Sequence, residues 1–509
     1  MNTARSNDDP KTFLRNLATA VRKNSITELK DLYINTYPIL LEKQCMNPDH
    51  NSGEDDSHRG RGKGPRKGQA TTEGASNIWI VQHSTIENTT GGDTLTGFLY
   101  KELYFRALYQ NKDISVHIRT ESWENYTTFL DLLATVKVNI PNTWMWDIFD
   151  EFLYQTQINC HARCRETDTV GIRKNTKIWN PITVIDKLEL IAERETHLDA
   201  AVFFSQVMLV RIHTQLGDYY SAVRIIERMG KKAIGPSGEF VDRFRSVAGC
   251  LLTLYYYGGF SFLMMRRYSD AQTLFLWALS CKNIHAILYQ QQNITNILRQ
   301  TSNALAIALV LSPLKVDEYT LYLVKEPFEE LSASIQEEET FKDNFKRSCP
   351  KYIVPTFDDN IESAYGLSPF ILMDSHCMFL FREIQQQSCI FALRNYLRLY
   401  NNIDAEKLAY LQPMEQASEM KLTCQLLAFK HKSLQCVMTE DPLDLGENGD
   451  MARVEMTESG KRFSVDGDVI MQNSEDLSLG KGSTLTSAIH KANAIDRLSA
   501  LLQEAKIEG

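Results

Sequence analysis

The chain has 509 residues, a formal net charge of −9, and 43% hydrophobic and 10% aromatic content. That length and apolar fraction supply material for two or three packed cores. The acidic balance excludes a protein that coats nucleic acid with its whole surface, and leaves room only for a local basic patch. Ten cysteines (Cys45, Cys160, Cys164, Cys250, Cys281, Cys349, Cys377, Cys389, Cys424 and Cys436) fall mostly inside apolar helical stretches. With no basic, apolar and small-residue order at the N-terminus, they read as reduced thiols of a cytoplasmic protein. The sequons beginning at Asn88, Asn125 and Asn293 are then chance matches.

In chain order, Thr12 to Gln44 carries a helical pattern, with Leu29, Leu32, Tyr33 and Tyr37 near a 3.6-residue period that Pro38 should interrupt. From Asn47 to Asn77 the composition collapses to glycine, serine and charge. Ordering that stretch would cost backbone entropy with little to bury, so it reads as a disordered linker. Helical patterns resume at Leu99–Tyr109 (LYKELYFRALY), at ENYTTFLDLLATV, and at Trp144–Arg165. In the last, Trp146, Phe149, Phe152, Leu153 and Gln157 form an inward face, and Asp147, Asp150 and Glu151 are expected to face solvent. Val247–Met265 lacks charge and precedes Arg266-Arg267, as a membrane span might. Three tyrosines, paired glycines, Thr253 and Ser261 make it only moderately apolar, so a buried helix is the better reading.

Leu216-Gly217-Asp218-Tyr219-Tyr220-Ser221-Ala222 aligns with Met265-Arg266-Arg267-Tyr268-Ser269-Asp270-Ala271, sharing Tyr-x-x-Ala after a tight turn. This is a mark of helical-hairpin repeats, spaced more widely than tetratricopeptide repeats, and such a stack needs a terminal cap. Helices continue through Asn303–Leu311, with a turn at Ser312-Pro313, an acidic run at Glu337–Glu339 and a break at Cys349-Pro350-Lys351.

The cap is expected next. Leu372–Tyr400 reads as the last long helix. At the corner that follows, Asp404 is a good N-cap, and Ile403 and Leu408 sit at the two positions of a hydrophobic staple. A short helix at Ala405–Leu411 and a third at Glu419–Phe429, with Leu422, Leu426 and Phe429 inward, lead into alternating residues at Leu434–Met438 and Arg462–Met471. There Phe463 and Val465 share a face and Asp466-Gly467 marks a hairpin turn. Three helices and a hairpin describe a winged helix. Thr439–Gly460 reads as an extended wing loop in which Val454 and Met456 could add a strand. Beyond a polar linker, Leu485, Ile489, Ala492, Ile495, Leu498 and Leu502 make the narrow seam of a partner helix.

The expected architecture is therefore mostly α: an irregular TPR-like helical-repeat solenoid capped by a C-terminal winged-helix module, plus a terminal helix. The divisions fall at 1–46 (N-terminal helical segment), 47–77 (linker), 78–371 (helical array), 372–475 (winged-helix module) and 476–509 (linker and bundle helix).

That plan resembles the PCI-domain family of scaffold subunits found in the proteasome lid, the signalosome and translation initiation factor three. Within it, the order of several motifs is similar to the L-subunit family of initiation factor three: Glu28–Asn35 (ELKDLYIN), Leu99–Tyr109, Trp144–Arg165, Leu216–Tyr219, Tyr257–Ala271 (YGGFSFLMMRRYSDA), Cys349–Pro355 (CPKYIVP), Asn395–Leu411 and Ala428–Lys432 (AFKHK). The likeness runs from about residue 27 to 475. Arg59–Gly68 stands out as an insertion and Val170–Glu195 as a shortened stretch, which suggests a divergent lineage. The resemblance implies a non-catalytic subunit of a cytosolic assembly that binds the small ribosomal subunit and organises messenger RNA. Its expected neighbours are the E and K subunits, with winged helices packed edge to edge and C-terminal helices gathered in a bundle. A proteasome-lid or signalosome subunit and an RNA-binding adaptor are the alternatives.

No chemistry competes with that reading. Cys160-His161-x-x-Cys164 lacks the second ligand pair that a closed zinc site needs. No nucleophile elbow, zinc-protease, Walker or dinucleotide motif occurs, so neither cofactor nor catalytic residue is expected. Arg59, Arg61, Lys63, Arg66 and Lys67, interleaved with glycines, are the candidate RNA contacts, since a flexible cationic tether touches phosphates without sequence preference. The Glu419–Phe429 helix holds only Lys421 before Lys430-His431-Lys432, too little charge for a groove-reading helix.

Overall fold

The computed structural model describes residues 10–46, 86, 88–89, 91, 93–109, 114–164, 175–194, 199–280, 292–312, 318–333, 337–354, 369–400, 402–411, 419–439, 452–456, 463–466 and 469–472. The linker at 47–77 with its five candidate RNA contacts, and the C-terminal seam at 485–502, lie outside them. The fold is mostly helical, built of helical-hairpin repeats, and divides into two compact units. The first comprises residues 1–261, 280–298 and 349–374, and the second residues 262–279, 299–348 and 375–509.

In the first unit, successive helices pack as neighbours: Thr94–Leu108 on Val116–Thr135, and Pro181–Ala192 on Ala200–Leu216, which also receives Asn142–Arg163 and Tyr219–Met229. Sequence explains the ends. Asp93, Ser115, Asn180, Asp199 and Asp218 each turn a side-chain oxygen onto a first-turn amide of the helix that follows. Buried polar pairs then fix one helix against the next: Ser122 with Gln155 at 2.7 Å, Gln157 with Gln215 at 2.9 Å, and Thr214 with Ser261 at 2.8 Å. Each group would be costly to leave unpaired in a core, so each pair selects one packing register.

The Cys349–Val354 segment, expected only as a break, is a strap. The Ile353 amide donates to the Gln215 carbonyl at 3.0 Å. The Tyr352 hydroxyl meets that of Tyr219 at 2.9 Å, and its carbonyl lies 2.8 Å from His161 Nε2. Cys160 and His161 thus serve packing, with the Cys160 thiol directed at the Trp179 carbonyl. Val247–Met265 forms the Ala248–Met264 helix, and no helix among the described residues is long and apolar enough to cross a membrane.

Two expectations need correction here. Pro38 does not end the N-terminal helical run. Leu32–Thr36 winds as a π-helix, and Tyr37–Met46 follows with the proline in its first turn, where an absent amide hydrogen is harmless. Nor do Asp147 and Glu151 face open solvent. The N-terminal helices cover that side: the Tyr33 hydroxyl donates to Asp147 Oδ2 at 2.5 Å and accepts from Arg106 at 2.6 Å. Arg106 also reaches Glu102 Oε1 at 2.5 and 2.8 Å, and the Trp144 indole donates to Glu102 Oε2 at 3.2 Å. Asp150 takes Arg211, and Glu151 takes Gln155 at 2.8 Å. Tyr33 stacks on Trp144 with centroids 4.7 Å apart. A helix wrapped on several sides leaves Asp147 and Glu151 covered, while Asp150 stays 44% exposed.

Burial outweighs the neighbouring Arg106 charge and raises Asp147 to about 6 and Glu151 to about 7. Both values lie above those of an unfolded chain, so the folded state binds more protons and stability falls as pH rises from about 4 through 7. The melting temperature of the wild-type chain is therefore expected to drop between pH 5 and pH 8, and that drop to shrink in a D147N/E151Q variant. An unchanged pH profile would remove these two groups from the balance.

Candidate functional site

The second unit carries the surface that the sequence singles out for assembly. β1 (Asn402–Asp404) runs into the Ala405–Tyr410 helix, and Asp404 Oδ1 accepts the Glu406 amide at 3.0 Å. The Glu419–Ser433 helix follows, then β2 (Leu434–Met438), β3 (Ala452–Met456), β4 (Phe463–Asp466) and β5 (Val469–Gln472). β1, β5 and β4 form an antiparallel sheet in that order, with Ile403 opposite Ile470 and Ile470 opposite Val465. β2 and β3 pair separately as an antiparallel ribbon in which Cys436 faces Val454.

Here too the structure refines the expectation. The single extended wing loop is broken by β3, and the corner at Ile403 is itself a strand. The Val454–Met456 segment turned into strand because its alternation gives Leu434–Met438 an antiparallel partner. β4 and β5 join through residues 467–468, which lie outside the described residues.

Ile403, Ala405, Leu408, Ala409, Leu422, Leu426, Phe429 and Ile470 form one buried cluster, with Leu411 packed at its margin. Ile403 and Leu408, the staple positions, meet in it, and so do Leu422, Leu426 and Phe429 from one face of the longer helix. The chain is thus stitched at the corner three times, by sheet pairing, by the cap and by the apolar cluster. Phe463 and Val465 alternate along β4, an outer strand of its sheet. Tyr410 (90% exposed), Met420 (79%) and Leu427 lie open.

A joint that sequence reasoning missed ties this module to Arg266–Asp270 within the same unit. Buried Glu383, on the Pro369–Leu399 helix, accepts Arg266 Nη2 at 2.5 Å and lies 3.0 Å from Lys432 Nζ. Arg267 grips Asp270 Oδ2 from two nitrogens, at 3.0 and 2.7 Å, and the Asp270 carboxylate accepts the Met438 amide at 3.0 and 3.2 Å. Gln435 Oε1 caps the Tyr268 amide at 3.1 Å, while its Nε2 donates to the Lys432 carbonyl at 2.9 Å. Glu383, Asp270, Arg267 and Gln435 are buried polar side chains that would otherwise be stranded at this seam, while Arg266 reaches in from a half-exposed position. The only local signal was the charge density of Arg266-Arg267-Tyr268-Ser269-Asp270 beside an apolar helix.

The arrangement holds and orients; it presents donors and acceptors already used by one another. Among the described residues no group of three His, Cys, Asp or Glu converges as a metal site would require.

Comparison with known proteins decides the relationship. A family profile described as "RNA polymerase I-associated factor PAF67" matches residues 118–202 and 192–492. Subunit L of eukaryotic translation initiation factor 3 from Nematostella vectensis is 32% identical over 426 residues, covering 74% of this chain and 77% of that protein. The chain belongs to the family of initiation factor 3 subunit L. The subunit L proteins of Bos taurus and Homo sapiens are each 29% identical, over 81% and 80% of this chain and 78% and 77% of their own lengths. The profile match at residues 118–202 and 192–492 takes in both the helical hairpins and the C-terminal module.

Replacing Glu383 by Gln leaves Lys432 facing a neutral partner in a buried setting, and is expected to destabilise the chain by about 3 kcal/mol in denaturant unfolding. Asp404→Ala, which removes one exposed cap, should cost about 1 kcal/mol. Equal effects from the two substitutions would contradict the ranking of the joint above the cap.

Proposed function

We propose that this chain is a non-catalytic scaffold subunit of the translation initiation factor 3 complex, acting in the cytoplasm in assembly on the small ribosomal subunit and recruitment of messenger RNA. The observation that carries the proposal is the agreement of the relatives: proteins named subunit L in cow, human and sea anemone match about three-quarters or more of the chain. The geometry agrees with it, because the described side chains around Glu383 and Asp270 hold a module in place.

In this reading, residues 372–475 form the winged-helix module of a PCI domain, and the β1-β5-β4 sheet offers an edge to neighbouring subunits, E and K first among them. Ile403, Asp404, Leu408, Leu422 and Leu426 hold that module together, and Phe463 and Val465 stand on its outer strand. Leu485, Ile489, Ile495, Leu498 and Leu502 enter a bundle with the partners' helices. Arg59, Arg61, Lys63, Arg66 and Lys67 touch ribosomal or messenger RNA through their phosphates.

Copurification tests the reading. The tagged chain should bring down initiation factor 3 subunits and small-subunit ribosomal proteins, and a D404A/L408A variant should lose them while its helical array still melts cooperatively. Recovery of RNA polymerase I subunits instead, as the profile's description would suggest, or normal incorporation of the soluble double variant, would overturn it.

A further inference from the structure

One face of the first unit departs from the acidic balance of the chain. On the Tyr219–Met229 helix, Ala222, Val223, Ile226 and Met229 point inward. At 100° per residue, Arg224 and Arg228 then occupy the centre of the outward face, with Tyr220 beside them and 61% exposed. The next two short helices, Lys231–Ile234 and Glu239–Phe244, follow with Lys232, Arg243 and, at the C-cap, Arg245 exposed, against the exposed acidic residues Glu239 and Asp242. Glu227, the acidic residue that shares the first helix, is buried. Arg245 is paired with Asp242 at 2.7 Å; Arg224, Arg228, Lys232 and Arg243 make no ion pair among the described residues.

The platform under these charges is firm. Gly230 turns the chain with φ +81°, and the Gly238 amide donates to the Gly235 carbonyl at 2.7 Å. A Cβ at Gly238 would lie 2.1 Å from the Ala233 carbonyl oxygen, so the backbone folds back on itself and sets the second short helix against the first. Tyr255, buried, anchors the turn by donating to the Ile234 carbonyl at 2.7 Å. One arginine in a last helical turn is ordinary, since it complements the helix dipole. Six side chains, five of them basic and one an open aromatic ring in line with two guanidinium groups, are more than a dipole needs.

We propose that this face, with Tyr220, Arg224, Arg228, Lys232, Arg243 and Arg245 as its contacts, binds single-stranded RNA. The cations neutralise successive phosphates, and Tyr220 offers a ring on which a base stacks. The tyrosine is what separates this partner from an acidic peptide, which would need the charges and not the ring. The surface is distinct from the module assigned to subunit assembly and from the Arg59–Lys67 segment, so each can fail alone.

The test uses the full chain and fluorescence anisotropy with a labelled, unstructured single-stranded RNA of about 20 nucleotides. An R224Q/R228Q/K232Q variant should bind at least about tenfold more weakly at near-physiological salt, and the slope of log affinity against log salt should fall by about 2, the share of three phosphate contacts. Tyr220→Ala should weaken binding about fivefold or more without changing that slope, the mark of lost stacking. Neutralising Arg59, Arg61, Lys63, Arg66 and Lys67 in parallel separates the two basic regions, and copurification of the triple variant with initiation factor 3 subunits should be normal. Unchanged affinity and slope in the triple variant, absence of RNA binding by the wild-type chain, or displacement of the RNA by poly-glutamate at equal charge would overturn the proposal.

Discussion

A carboxylate 3% exposed has given up its water and needs donors beside it, and Glu383 is such a group. Arg266 comes to it from the turn of a helical hairpin and Lys432 from the last turn of the helix that precedes β2. Meeting one oxygen pair from two remote segments fixes both segments at once. Lys432 determines where β2 begins, and β2 then delivers the Gln435 amide oxygen and the Met438 amide to the start of the Tyr268–Ser280 helix. The joint is in this sense organised around one buried carboxylate.

Parts of this arrangement were legible in the chain because they are written within a few residues. The Asp404 cap, the Ile403 and Leu408 pair, and the inward set of Leu422, Leu426 and Phe429 each follow from spacing alone, and the structure brings the apolar members into one cluster. The tyrosine and alanine of the repeated hairpin motif are likewise buried in both copies. By contrast, Asp270 and Met438 are separated by 168 positions, and no local pattern announces that a first-turn carboxylate will receive a distant strand amide. A carboxylate and a backbone amide so far apart in the chain become partners only once the topology is known.

The misreading of Asp147 and Glu151 has a different physical origin. Helical periodicity locates an outward face on the assumption that a helix is covered along one stripe. Asn142–Arg163 is covered along several, by its repeat neighbours and by the N-terminal helices, so Asp147 found Tyr33 and Glu151 found Gln155, while Asp150 pairs with Arg211 from a half-exposed position. Trp144 inside that layer, donating to Glu102 while stacking on Tyr33, shows how aromatic and charged groups share one interior there.

The two hairpin turns close by the same backbone bonds, yet not with the same residue. Gly217 takes φ +80°, with its amide on Thr214 and the Asp218 amide on His213; Arg266 takes φ +61°, with its amide on Leu263 and the Arg267 amide on Phe262. An arginine in the left-handed region is disfavoured by roughly 1–2 kcal/mol relative to glycine. The second turn has therefore surrendered backbone comfort for a guanidinium in the right place. A search for internal symmetry that keys on the turn glycine will pass over this hairpin, so the periodicity of the fold is better preserved in its hydrogen bonds than in its letters.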